Sequence, residues 1–225
     1  MSSSQTIIEH IVLFKVKDNT EPSEVNAMVS RINSLRSLAQ VLHITTGPLR
    51  SNRSPSLTFN YMLHSRYKSK DDLDAYTVHP NHVSVTKENV GLLDDIMAVD
   101  WVADDLRGPV VVLEGSALRF TILKLKEGSR DEAKSEILEA IVGMEDKIGE
   151  KTTQFTSGVN FSPGRAKGFS MAFLAVFKSQ SELEAEDLVE MWANFEQKLN
   201  DYLETLIVLD YVVPPPPTAS EPSHI

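Results

Sequence analysis

Two of the chain's six histidines fall within one eight-residue stretch, "VHPNHVSV" at 78–85. His79 and His82 stand three apart around Pro80, a pattern open to metal ligation, proton transfer or the plain start of a helix. Metal ligation would need a third partner from His10, His43, His64 or a carboxylate. Zinc sites use Cys or His at tighter, recurrent spacings, with i,i+4 the usual helical pair, so no metal site is read here. His79 precedes a proline and is thereby held extended just outside a helix, where its ring can cap or pack locally. His82, one turn in, carries an imidazole whose unperturbed pKa lies near physiological pH, which suits acid/base work. The bland alternative for His82 is a satisfied histidine lining a core.

Other chemistry is sparse. The chain has no cysteine, which excludes disulfides, cysteine nucleophiles and thiolate metal sites. No serine sits in a nucleophile elbow, and "SPGRAKG" (162–168) lacks the glycine and lysine pattern of a phosphate loop and reads as a hairpin turn. Trp101, Trp192 and Tyr211 read as core or interface aromatics, and "SELEAEDLVE" (181–190) as a solvated helix face.

The 225 residues are 41% hydrophobic and 24% charged, with a formal net charge of -10. That is the composition of a globular protein, and the acidic balance argues against nucleic acid as a partner, since such binding needs a basic face. No apolar run approaches the ~18–20 residues of a membrane span, and the N-terminus lacks the basic start and apolar stretch of a secretory signal.

The elements that position these residues come in two copies. "EHIVLFKVK" (9–17) returns as "LRFTILKLK" (118–126), "RYKSKDDL" (66–73) as "VFKSQSEL" (176–183), and "MAVDWV" (97–102) as "IVLDYV" (207–212). Glu9 to Leu118 is an offset of 109, Tyr67 to Phe177 one of 110, and Asp100 to Asp210 one of 110. Three matches at one spacing mark a tandem duplication. In the first half, Ile8–Val16 reads as a strand, and Pro22 opens a helix with Val25, Val29, Ile32 and Leu35 on one stripe. A short strand Val41–Thr46 is expected to close at Gly47-Pro48, and Leu57–Ser65 to form the next. Asp71 and Asp72 start a helical turn through Tyr76, Pro80 opens a helix with Val83, Val90 and Leu93 inward, and Ala98–Ala103 ends the unit. The second half gives Leu118–Lys126, Asp131–Lys147, Thr152–Val159, Gly168–Phe177, one helix over Ser181–Thr205, and Leu206–Val212.

The order is β-α-β-β-α-β, the ferredoxin-like unit, twice. The fold class is therefore α+β, with two bare sheet faces that can pack into one sandwich or barrel. The expected domains are 1–104 and 118–213, joined by a linker at 105–117 whose "VVVL" could add an edge strand. A Pro-rich tail, 214–225, follows.

On "EHIVLFKVK", "YKSKDDLDAY" (67–76), "HPNH" (79–82) and the closing "VDW" (99–101), the chain resembles the stress-responsive A/B-barrel (Dabb) family of dimeric α+β barrels, and specifically its tandem plant members. The resemblance implies an intramolecular barrel and a role in stress responses. It also implies a small-ligand cavity in the first half and no resident cofactor, with Mg2+ near the end of the first helix in some relatives. One enzymatic relative is a plant polyketide cyclase. Its catalytic histidine and tyrosine fall on His82 and Tyr76, and its first-strand pocket histidine on His10. A further pocket histidine of the relative falls on Tyr61, a departure that weakens the likeness to the cyclase. The expected pocket is thus lined by His10, Tyr61 and His79, with His82 and Tyr76 as the acid/base pair on a small hydrophobic substrate. In the second half "AEDLVEMW" (185–192) stands where the first has "AYTVHPNH", so at most one such site exists per chain. Association of two chains into a homodimer stays open.

The final Ser223-His224-Ile225 is a variant of the Ser-Lys-Leu peroxisomal address, which an import receptor reads. Peroxisomal residence is the expectation, with the cytoplasm as the alternative.

Overall fold

The computed structural model describes residues 5–54, 57–129 and 131–215. The first half runs β1 (Gln5–Val16), α1 (Pro22–Ser34), β2 (His43–Arg53), β3 (Tyr61–Tyr67), α2 (Lys70–Thr77), α3 (Pro80–Asn89) and β4 (Leu93–Leu106). The second runs β5 (Ala117–Leu125), α4 (Asp131–Ile148), β6 (Gln154–Val159), β7 (Met171–Phe177), α5 (Gln180–Leu183), α6 (Glu186–Leu199) and β8 (Leu203–Val212). The Ser223-His224-Ile225 tripeptide lies outside the described residues.

The eight strands of the described residues form one antiparallel sheet in the order β4-β1-β3-β2-β8-β5-β7-β6. The halves join where β2 pairs with β8, Leu49 opposite Tyr211 and Asn52 opposite Leu209. The two outer strands of that order also meet. Phe161 N donates to Asp100 O at 2.9 Å, and Asp100 N donates to Asn160 Oδ1 at 3.0 Å. Gly158 sits so close to β4 that a Cβ there would lie 2.9 Å from Trp101, which is why the position suits glycine. The sheet is thereby a nearly closed barrel, which leaves few unpaired edges.

Strand alternation sorts the side chains into layers. On β1, Ile7, Ile11 and Leu13 enter the barrel core with Trp101, Phe120 and Leu209, and Trp101 stacks on Phe120 of the other half with ring centroids 5.9 Å apart. Ile8, Val12 and Phe14 point the other way, under α1 and α2 with Met28, Ile32 and Leu73. The matching layer of the second half is Phe173, Phe177, Trp192 and Phe195 under α4 and α6.

One polar cluster interrupts the barrel interior. Glu9, His64 and Arg66 are fully buried. Arg66 Nη2 donates to Glu9 Oε1 at 2.8 Å, and His64 Nε2 lies 2.7 Å from Glu9 Oε2. The second half and the linker complete the set: Thr156 Oγ1 donates to Glu9 Oε1 at 3.0 Å, and Arg66 Nη1 donates to Gln154 Oε1 at 2.8 Å and to the linker's Val110 O at 2.7 Å. Burial would raise the Glu9 pKa, but Arg66 and then His64 hold it far below the usual carboxylate range. Burial pushes both His64 and its neighbour His43 down, the latter to about 2.

Several boundaries differ from the sequence reading. β2 does not close at Gly47-Pro48 but runs on to Arg53, because it leaves β3 there and continues along β8. Pro48, lacking an N–H, is tolerated at this change of partner. The expected helix over 181–205 is two helices and the start of β8, since Ala185 breaks it with an extended backbone. The "VVVL" segment adds no strand; β4 instead extends through Leu106, and Val112 tucks into the barrel core. Val83 is exposed rather than inward, and Val85 takes the inward place on α3.

Candidate functional site

A cavity of about 400 Å3 opens in the first half between the outer face of the sheet and helices α1 and α3. Its wall is apolar, formed by Val12, Phe14, Met28, Ile32, Leu35 and Leu63. At one end His10, Tyr76 and His82 converge, and the rim carries Asp94, Asp95 and Arg165.

Each polar residue is placed by local chemistry. Ser69 caps α2, its Oγ accepting from Asp72 N at 3.1 Å, and this sets the turn that buries Tyr76. His79 caps α3 in an extended backbone, its Nδ1 accepting from Asn81 N at 3.2 Å, and Pro80 occupies the first helical position. His82 follows one turn on, and its ring centroid lies 4.5 Å from that of Tyr76. His82 Nδ1 is 2.9 Å from Thr77 O. A carbonyl only accepts, so Nδ1 carries the proton and Nε2 keeps the lone pair. His10, on the cavity-facing side of β1, is hydrogen-bonded through Nδ1 to Asp100 Oδ1 of β4, and both are buried.

The electrostatics fit acid/base work. Burial lowers the His82 pKa, so its imidazole is neutral at physiological pH. Burial also lifts the Tyr76 phenol to about 12 and keeps it protonated, and it lifts Tyr67, whose ring centroid is 5.1 Å from Tyr76, further still. Burial would raise Asp100 as well, but the hydrogen bond from His10 draws it below its ordinary value. The end of the cavity thus offers a basic nitrogen at His82 and a hydroxyl donor at Tyr76.

Of the residues expected from sequence, His10, Tyr76 and His82 share this cavity, while Tyr61 and His79 do not line it. Tyr61 lies half-buried at the start of β3, opposite Pro48 and Phe14. His79 spends its ring on the helix cap. Sequence reasoning passed over Asp100 and Tyr67, although both lie inside quoted motifs, and Arg165, which comes from the other half. At the end of α1, Arg36 Nε donates to Asn33 O at 2.8 Å, and the Ser34 and Ser37 hydroxyls donate to Arg31 O and Ser34 O. A guanidinium already at this helix end does not suit Mg2+. Among the described residues no group of three or more His, Asp or Glu side chains is arranged to hold a metal.

A family model described as the stress responsive A/B barrel domain matches residues 8–103 and again 118–213. The chain belongs to the stress-responsive A/B barrel family. It is 50% identical over 219 residues to one stress-response A/B barrel domain-containing protein of Arabidopsis thaliana, across 95% of this chain and 82% of that protein. It is 43% identical over 211 residues to a second stress-response A/B barrel domain-containing protein of the same plant, across 93% of this chain and 98% of that one. A crystal structure of a putative monooxygenase from Fusobacterium nucleatum superposes with a TM-score of 0.61 over 93% of both chains, at 12% identity, a likeness of fold alone.

This stress-response A/B barrel is asymmetric in its sites. At the repeat offset of 110, Trp192 stands in the place of His82. Trp192 is fully buried, packs near Phe173 and Phe177, and lies under the Arg119 guanidinium at 4.8 Å. Its indole is closed into the core of the second half, with Nε1 donating to Thr121 Oγ1 at 3.3 Å, where the His82 imidazole of the first half fronts a cavity.

Proposed function

We propose that this stress-response A/B barrel protein binds one small, mostly apolar ligand per chain in the first-half cavity. The observation that carries the reading is the convergence of His10, Tyr76 and His82 on one end of an otherwise apolar cavity. A volume near 400 Å3 falls in the range of small-molecule sites, which pair apolar walls with a few placed polar groups. The test is a fluorescence titration with 2-naphthalenemethanol. Saturable binding that is lost in Ile32→Trp, which fills the cavity, is expected; equal binding by both proteins refutes the reading.

A second reading has its own support in the tautomer of His82. With Nδ1 fixed on Thr77 O, Nε2 is a neutral base on a ring packed 4.5 Å, centroid to centroid, from the Tyr76 phenol, a pair suited to moving a proton next to a carbonyl group. On this reading the protein acts on a small acyl or polyketide-like substrate, with His82 taking the proton and Tyr76 donating a hydrogen bond to the oxygen. Deuterium wash-in at the α-carbon of an acetoacetyl thioester should slow about 100-fold or more in His82→Gln. An unchanged rate in that variant removes the catalytic reading and leaves the binding one intact.

A further inference from the structure

The rim of the first-half cavity is completed by the second half. The loop between β6 and β7 crosses the seam and is fixed on both sides of Arg165. Before it, Phe161 N and Asn160 Oδ1 bond the Asp100 backbone, and Lys70 Nζ lies 4.3 Å above the Phe161 ring. After it, Ala166 and Phe169 are buried in the barrel core, and Lys167 pairs with Asp95 at 2.8 Å. Arg165 itself is exposed, lines the cavity, and among the described residues makes no ion pair.

Its charge reaches the polar end of the cavity. Burial is the main influence on Tyr76, His82 and Asp100, and the Arg165 guanidinium acts downward on the pKa of each. The acids nearby are in part already satisfied: Asp100 by His10, and Asp95 by Lys167, while Asp94 remains exposed on the rim. A cation carried on an anchored loop, lining one cavity with two neutral hydrogen-bonding side chains and an apolar wall, suits one negative charge.

We propose that the cavity takes an amphipathic monocarboxylate, its apolar body against Val12, Met28 and Ile32 and its carboxylate held by Arg165 from the opposite half. This rests on the binding function proposed above and names its ligand class. A monocarboxylate matches a single guanidinium bidentately. A phosphate dianion would leave a surplus negative charge beside Asp94 and Asp100. The assignment also gives the second half a part in binding although its own His82 position is Trp192.

The experiment titrates three probes of one apolar body, 2-naphthoate, 2-naphthalenemethanol and 2-naphthyl phosphate, into the full chain, Arg165→Gln, Arg165→Lys and Ile32→Trp. Arg165 is exposed, and thermal melts verify that its variants fold. The proposal expects naphthoate to bind about tenfold more tightly than the alcohol. Arg165→Gln should erase that advantage and leave the alcohol within twofold, with Arg165→Lys in between. Equal affinity for naphthoate and alcohol, or a naphthoate affinity untouched by Arg165→Gln, overturns the carboxylate assignment while cavity binding stands. Tighter binding of the phosphate than of naphthoate overturns it in favour of a dianion. Binding of all probes that survives in Ile32→Trp, or no binding of any, overturns the cavity reading itself.

Discussion

His10 and Arg119 occupy the same register position in the two halves, and each faces an aspartate across one strand pair. His10 lies opposite Asp100, and Arg119 opposite Asp210. Arg119 closes on Asp210 at 2.7 and 3.0 Å and is covered by Trp192, so this position of the second half is closed over by packed side chains. His10 instead fronts a cavity with Tyr76 and His82. Duplication supplied one scaffold twice, and the side chains at two matched positions leave imidazoles facing a cavity in the first copy and a packed guanidinium and indole in the second.

Trp192→Ala should therefore cost stability without costing binding. Removing a fully buried indole destabilises by about 3–5 kcal/mol. Urea denaturation measures the loss, and the naphthalenemethanol titration should keep its wild-type affinity wherever the variant is folded.

The Glu9–His64–Arg66 cluster predicts a second asymmetry, between removing one partner and removing two. Arg66→Met strands a buried carboxylate and should cost about 3–5 kcal/mol. Glu9→Gln together with Arg66→Met should cost less than the sum of the single changes, because the two act on one network. A double-mutant cycle by urea denaturation gives the coupling, and strict additivity would refute the network.

Acid should weaken the fold before carboxylates titrate. His43 and His64 have folded pKa values below the unfolded value near 6.5. Between the two values the unfolded chain binds protons that the folded chain refuses, so stability falls as pH drops below about 6.5. Each histidine contributes up to ~1.4 kcal/mol per pH unit in that window. Glu9, depressed in the fold, adds to the loss in the same direction below about 4.5. Melting temperatures from pH 7.5 to 5 should decline, and His43→Phe should flatten the decline.

The seam of β4 and β6 is tested at Gly158. A methyl group there meets Trp101 at 2.9 Å and Val102 O at 3.0 Å, so Gly158→Ala should destabilise by about 1–3 kcal/mol. A chain whose halves were held only by β2 and β8 would tolerate the change.

Much of this was legible in the sequence, and the rest was not for physical reasons. The 109–110 offset carried the tandem ferredoxin-like units and the single His82 site, because repeat spacing survives when side chains change. The course of β2 past Pro48 was hidden, since its outer half is ordered by β8, more than 150 residues away. Glu9, His64 and Arg66 looked unrelated because their pairing needs the β1–β3 register and the second half's Thr156 and Gln154. Tyr61 was drawn into the site by resemblance, while strand position sets it at the margin. Arg165 reaches the first-half cavity only through closure of the barrel, which no local pattern records.

One ligand per chain, seated in the first-half cavity, is the proposal that stoichiometry decides. Calorimetric titration of the full chain with 2-naphthoate tests it most directly, read as stoichiometry in wild type and Ile32→Trp. One equivalent should bind per chain, and none in the variant. Two equivalents per chain, or one that persists in Ile32→Trp, would contradict it.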